Sequence, residues 1–492
     1  MSETRSGVWW TPDAPAVRIP GSLIRTDTGW QLSLIGTLMV DIGGGDGLAL
    51  VPPRTILGSC QGASYTLLGC YLDDWGGAAQ SGRVAPAGTG SDDQNWMLWR
   101  VESLLQGAAL SVDTRYTGAS FRLTGLSAWW PPSGLRGPQV RPGRYQPPPD
   151  VTIQCQDGLT ITIGVREHRH YGRRAKSLRE RVSIFVSRES GFTLDELHTD
   201  VIIPLRILVA IGLNEPVQVY DIRLHPEGVE PTDGEQLPWL ELPVQVDPAD
   251  GDEPQEISQA AAHPLPLAPA LKDMESFIAA WMDVARQCAV SLDAIEPRQR
   301  SGSVQGQLLE VINAAETLHR TLHDEPTEFP FAERVRDTLK EVGGFTSSER
   351  RDVRDALKFA ELTLEQRLLQ LVEELGTEVS TWLFNGQATQ WAFTAAAIRN
   401  VLSHGYEASH GVHEDPGALI GVLRFADVVV TLRILVQAGM PSGQDLVGRL
   451  QTHPRLRYLV RQSIADWPAL ASAISPHRWP QPGADGTPDK PE

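Results

Sequence analysis

The residues whose types and spacing carry the most chemistry are Arg399, Asn400 and His404, within the run Arg399-Asn400-Val401-Leu402-Ser403-His404-Gly405. They follow an alanine-rich stretch with helical spacing, and Gly405 stands where a helix should stop. Residues four apart share a helix face, so Asn400 and His404 stand together. Arg399, five before His404, points partly away. Two copies facing each other across a twofold axis would bring two Arg, two Asn and two His to one cleft. Such a set suits cleavage of RNA without a metal. A neutral imidazole can take the proton of a ribose 2′-hydroxyl, and an imidazolium can give one to the leaving 5′-oxygen. A guanidinium can hold the phosphate and stabilise the charge that grows in the transition state. Asparagine can orient the imidazole or bond the phosphate. Attack by the 2′-hydroxyl would confine the reaction to RNA and leave a 2′,3′-cyclic phosphate and a 5′-hydroxyl. A helix C-terminus favours the charged imidazole, while Arg399 and its symmetry mate oppose it. Spacing alone does not distinguish this set from a capping or surface group.

The elements that must position these residues change character near residue 250. Before it, short apolar runs alternate with turn clusters. Trp30 to Val40, Ser64 to Leu72, Val151 to Val165 and Arg181 to Ser187 read as strands, with Gln156-Asp157-Gly158 as the clearest hairpin turn. Trp129 to Asp150 is proline-rich and reads as a long loop or seam. After residue 269 apolar residues recur at three- and four-residue spacing, as in Lys272 to Ile295, Val304 to His323, Ser347 to Gly376, Gln390 to His404 and Ala418 to Gly439. Thr346-Ser347-Ser348-Glu349 has the form of a capping box, and Gly376, Gly405 and Gly439 mark helix ends. The fold expected is a multidomain α+β chain. It has a β-rich sandwich or barrel-like half over 1–246, an acidic, proline-dotted linker over 247–269, an all-α bundle over 270–478 and a disordered tail over 479–492.

Composition narrows the function classes. A chain of 492 residues is too long for one ordinary core. Its 43 basic and 61 acidic residues give a net charge of -18, which argues against nucleic-acid binding by bulk charge but leaves room for a local positive site. Four cysteines, Cys60, Cys70, Cys155 and Cys288, make no disulfide framework and fit a reducing compartment. No apolar run reaches the roughly 18 residues that span a membrane, and the first residues do not read as a secretory signal. The expectation is a cytoplasmic protein without a membrane partner.

Other candidates carry a bland reading beside the sharp one. Glu316, His319 and His323 share a helical face, as a metal face, as a carboxylate and imidazoles supporting the cleft, or as an ordinary polar face. His410, His413, Glu414 and Asp415 follow the Arg399–His404 run, where substrate contact competes with a solvated loop and a helix cap at Asp415. Arg166 to Arg181 holds seven Lys or Arg against two Glu and reads as a hairpin tip, able to grip RNA phosphates with Tyr171 free to stack. Gly58-Ser59-Cys60-Gln61-Gly62 imitates a nucleophile elbow, but a strand rather than a helix follows it. Asp41 to Gly47 lacks the Lys-Ser/Thr of a phosphate loop. Most of the 14 Trp should be core, with Trp9-Trp10 and Trp129-Trp130 as possible lining of a ligand groove.

Two stretches resemble a known family. Arg399 to Gly405, at the end of a helix in a late all-α region, is similar to the R-x(4–6)-H motif of HEPN domains, with the asparagine that often follows the arginine. Ser6 to Leu38 and Arg54 to Leu72 resemble the N-terminal domain of ApeA-type anti-phage HEPN proteins, through Trp10, Pro12, Gly21-x-Leu23, Leu32-x-Leu34-x-Gly36 and Ile56-x-Gly58. The resemblance implies a metal-independent, cofactor-free endoribonuclease that acts as a homodimer with a composite site. It implies cleavage of cellular RNA, tRNA among the candidates, in abortive infection, with a phage-derived trigger for the N-terminal half. Carried over to this chain, the catalytic set is Arg399, Asn400 and His404. The competing expectation is a non-catalytic interaction or sensor protein that binds RNA or a phage protein, and a weaker one is a metal enzyme built on Glu316, His319 and His323.

Overall fold

The computed structural model describes residues 4–26, 29–38, 40–41, 50–51, 55–76, 96–101, 103–107, 114–130, 146–171, 176–213, 215–227, 239–241, 273–296, 303–323, 332–341, 344–357, 362–404, 416–452 and 460–461. The expected linker and tail lie outside them. Chain contacts group into two compact units, one of residues 1–264 with 271–282, the other of 265–270 with 283–492.

The first unit is built of antiparallel strands: β1 (Thr4–Trp10), β2 (Ile19–Thr26), β3 (Gly29–Ile35), β4 (Val40–Asp41), β5 (Leu50–Val51), β6 (Thr55–Cys60), β7 (Ala63–Leu68), β8 (Tyr71–Gly76), β9 (Trp96–Val101), β10 (Ser103–Gln106), β11 (Tyr116–Leu123), β12 (Val151–Gln154), β13 (Leu159–Tyr171), β14 (Lys176–Phe192), β15 (Val219–Pro226) and β16 (Trp239–Glu241). Among the described residues one sheet runs in the order β12-β13-β14-β11-β15-β16-β10-β7-β6-β1-β2-β3-β9-β8, and β4 pairs with β5 separately. The long order has two open ends, so the β-rich half is not a closed barrel. Alternation does the folding work. In β3, Trp30, Leu32 and Leu34 are buried while their neighbours are not, and they join Trp9, Leu23, Ile56, Leu67 and Trp99 in one core. The hairpin expected at Gln156-Asp157-Gly158 is present, with Asp157 and Gly158 at positive φ.

One close approach fixes a residue type. Trp9 pairs with Gly58 across β1 and β6, and a β-carbon at Gly58 would overlap the Trp9 indole. The indole is fully buried and cannot swing away. Trp10, Trp129 and Trp130 are buried as well, so both Trp pairs serve the core and not a ligand groove.

The same unit holds helices that periodicity did not reveal: α1 (Leu126–Trp129), α2 (Leu194–Leu197), a π-helical turn over His198–Ile202, and α3 (Ile203–Leu213). Almost every residue of α3 is buried, so its sequence shows no amphipathic stripe to read. The local start signal was there: Thr193 and Glu196 form a capping box.

The helical region contains α4 (Met274–Gln287), α5 (Ala289–Ile295), α6 (Val304–Leu322), α7 (Ala332–Glu341), α8 (Ser347–Leu357), α9 (Leu364–Glu373), α10 (Thr377–Phe384), α11 (Ala388–His404), α12 (Pro416–Gln437) and α13 (Gly443–Thr452). The stretch Ser347 to Gly376 is two helices and not one. Thr346 and Glu349 cap the first, and Thr363 with Gln366 caps the second. α12 is mostly buried from Leu419 to Leu435, with Ile420, Arg424, Asp427 and Thr431 half-buried along one face, and it packs against α6, α5 and α9, while α11 packs against α9 and α6. No helix among the described residues is long and apolar enough to cross a membrane.

The Trp9–Gly58 pairing yields a stability test. Gly58→Ala should destabilise the β-rich unit by about 2 kcal/mol through overpacking. Urea unfolding followed by tryptophan fluorescence reads it, and an unchanged midpoint would show that the indole can move.

Candidate functional site

α11 reaches the site by burying small and aromatic residues. Trp391, Ala392, Ala395, Ala396 and Ile398 are buried, and the alanines let the helix lie close to its neighbours. Thr394 donates to the Gln390 carbonyl at 2.7 Å, which keeps its buried hydroxyl satisfied. Arg399 emerges at the far end. Its Nη2 donates to Glu316 Oε2 of α6 at 3.3 Å, its Nη1 to Asn400 Oδ1 at 3.3 Å, and its Nε is buried without a partner among the described residues. Asn400 itself is exposed.

His404 is the last residue of α11. Its backbone is in the helix, and its side chain lies outside the described residues. Helical geometry puts it about 7.5 Å beyond Arg399 along the axis and about 140° around it. Arg399 and Asn400 are joined by a hydrogen bond.

Glu316 is the hub beneath Arg399. Its Oε1 accepts from Arg367 of α9 at 2.7 Å and from Arg320, one turn along α6, at 3.3 Å. Its Oε2 accepts from Arg399. Arg367 is 4% exposed at its side chain, Glu316 19% and Arg399 25%, so the group is anchored from inside and opens toward solvent at Arg399.

His319 and His323 belong to a second polar cluster. His319 is fully buried and hydrogen-bonds through Nε2 to Gln370 Oε1 at 3.0 Å. The two imidazole centroids are 4.6 Å apart, and His323 Nε2 lies 3.1 Å from Glu374 Oε1. Glu374 accepts from Gln370 at 3.1 Å and pairs with Arg433 of α12 at 2.7 Å. Glu316, His319 and His323 therefore share a helix face as expected, yet each is taken by a different partner, which does not suit a metal face. The supporting-carboxylate reading fits Glu316.

The remaining candidates separate cleanly. The basic run lies on the β13–β14 hairpin, with His168 opposite Arg179 and Tyr171 opposite Lys176 in the backbone register. Arg166 is committed to Asp150 by two contacts of 2.6 and 2.7 Å, which hold the Asp150 carboxyl below its ordinary range. It is thereby a poor phosphate ligand. The side chains of residues 168–171 and 176–179, and the whole of 172–175, lie outside the described residues, as do His410, His413, Glu414 and Asp415. Gly58 to Gly62 is the β6–β7 hairpin, where burial raises the Cys60 thiol away from thiolate, so no nucleophile is made.

Sequence reasoning missed Arg320, Arg367, Gln370, Glu374 and Arg433. Arg320 stood in plain view four residues after Glu316. Arg433 was visible as a lone cation inside the apolar run Val428 to Val436, the usual mark of a buried pair.

A helical bundle with one helix ending in Arg-Asn-x-x-x-His, preceded in the chain by a β-rich half, is the two-part arrangement that the HEPN resemblance implies. Comparison with known families agrees. Residues 4–269 match the family described as ApeA N-terminal domain 1, and residues 309–444 match Apea-like HEPN. The first match alone spans more than half of the chain, and the protein belongs to the ApeA-type HEPN family. Neither a curated protein nor a solved structure matches it.

The Glu374–Arg433 pair can be tested apart from function. Glu374→Leu should cost about 3 kcal/mol by leaving a nearly buried guanidinium unpaired. Adding Arg433→Met should recover most of it, because an apolar pair of similar size needs no compensation. Equal destabilisation by single and double variants in urea would show that the pair is not coupled.

Proposed function

We propose that this protein is an anti-phage endoribonuclease that cuts cellular RNA without a metal, using Arg399, Asn400 and His404 from two copies of the chain. The observation that carries the reading is the Arg399 guanidinium, held by Glu316 at the solvent-facing end of α11, with Asn400 beside it and His404 one turn further on. The family match supports it, because HEPN domains are typically ribonucleases.

In the proposed reaction one His404 imidazole takes the proton of the ribose 2′-hydroxyl as that oxygen bonds to phosphorus. The bond from phosphorus to the 5′-oxygen breaks, and the His404 imidazolium of the second copy gives that oxygen a proton. The Arg399 guanidinium groups carry the phosphoryl oxygens as their charge rises. Asn400 orients the phosphate or an imidazole. The nucleophile is the substrate's own hydroxyl, so DNA is not cut, and the products are a 2′,3′-cyclic phosphate and a 5′-hydroxyl. The working substrate is cellular RNA, tRNA being one candidate, in a cytoplasmic setting. The β-rich half is the place where a phage component would set the activity free.

Purified protein should cut unfractionated tRNA or mixed-sequence RNA in EDTA. Arg399→Ala and His404→Ala should each lower the rate by at least about 10²-fold, as removal of a general acid–base group does. End analysis should find cyclic phosphate. A strict requirement for Mg²⁺, or cleavage by His404→Ala at the wild-type rate, would defeat this reading. Equal protection of cells by wild type and both variants would instead favour a non-catalytic binding protein.

A further inference from the structure

We propose that Glu316 is a positioning residue for Arg399: clamped from the bundle interior by Arg367, its carboxylate aims the guanidinium at the scissile phosphate. The inference rests on the ribonuclease reading above and adds the residue that makes the arginine a fixed rather than a wandering cation.

The two carboxylate oxygens divide the labour. Oε1 takes the short 2.7 Å contact from Arg367 and a longer one from Arg320, and Oε2 is the oxygen that meets Arg399. Arg367 is almost wholly buried, so it cannot follow Glu316 into solvent and instead pins it. A free arginine side chain carries about 2 kcal/mol of rotamer entropy, which an untethered phosphate-binding group must surrender on each turnover. Glu316 removes that cost beforehand.

The contact is suited to guiding and not to trapping. At 3.3 Å it is longer than a charge-assisted pair of full strength, which closes to roughly 2.7–2.9 Å. A guanidinium has five N–H donors, and with Nε buried the contacts to Glu316 and Asn400 leave one hydrogen on each Nη for a phosphate. Three guanidinium groups face one carboxylate here, so Glu316 can steer Arg399 without cancelling its charge toward a ligand.

Single-turnover cleavage of unfractionated tRNA by the full chain in EDTA tests this. Glu316→Gln keeps the shape and removes the charge. Its rate constant should fall about 10²-fold, the effect of a misplaced catalytic group, with the reaction amplitude and KM nearly unchanged. Glu316→Asp should regain part of the rate. Because Glu316→Gln also strands the buried Arg367, the double variant Glu316→Gln/Arg367→Met should restore the unfolding midpoint while the rate stays low. Recovery of both together would mean that Glu316 only holds the bundle, and the proposal would be wrong. A wild-type rate for Glu316→Gln, with His404→Ala inactive, would overturn the positioning role and leave the ribonuclease reading standing. Folded wild-type protein that cuts no RNA would remove both.

Discussion

A carboxylate shared by several guanidinium groups is the constraint around which the helical bundle is arranged. Glu316 belongs to α6, Arg367 to α9 and Arg399 to α11, so the ion pairs of one half-buried carboxylate tie three helices together. A buried ion is expensive unless it is paired and hydrogen-bonded, and pairing it with Met or Leu at the same positions would often be as stable. What the ionic arrangement adds is direction. An apolar seam would hold the helices together but would leave the end of α11 with an unsupported cation. The same logic recurs one turn away, where Glu374 joins His323, Gln370 and Arg433 and ties α12 to α9. In a chain with a net charge of -18, these few arginines are placed where the proposed chemistry calls for positive charge, and bulk charge contributes nothing to it.

The β-rich unit is held differently. Its ladders are antiparallel, its faces are sorted by two-residue alternation, and its core is dominated by tryptophan and leucine. The Trp9–Gly58 pair shows how tight that sorting is, since the flat indole is accommodated only by a residue with no side chain. The two glycine- and tryptophan-bearing stretches that carry the family resemblance, near Trp10 and Ile56-x-Gly58, are thus packing motifs. They report fold and not chemistry, and chemistry must be argued from α11.

Much of this was legible in the sequence because it was local. Alternation in Trp30 to Leu34 gave β3, Asp157-Gly158 gave the β12–β13 hairpin, and Thr346-Ser347-Ser348-Glu349 gave the start of α8. Where a signal needs polar contrast, burial erased it. α3 is nearly all apolar and short, whereas α12 is long and keeps Arg424, Asp427 and Thr431 on a half-buried face, enough to be recognised as a helix. The break between α8 and α9 was hidden because both helices continue one polar-apolar rhythm across Thr363. Within the site, Arg399 and Asn400 could be named from spacing, and Glu316 from its helix face. Arg367 could not, because its partner lies 51 residues away and no local pattern encodes a contact at that range.

The pitch of α11 sets the last condition on the chemistry. On a straight helix, positions 399 and 404 stand about 140° apart, which is awkward for a single chain that must bring both groups to one phosphate. Glu316 adds to this spacing a fixed direction for the arginine, because it draws Arg399 toward α6. The proposed dimer would resolve it, since across a twofold axis the arginine of one copy can face the imidazole of the other. In the proposed dimer, assembly is the step at which the proposed nuclease gains its full set of groups, with Arg399 already held by Glu316 within its own bundle.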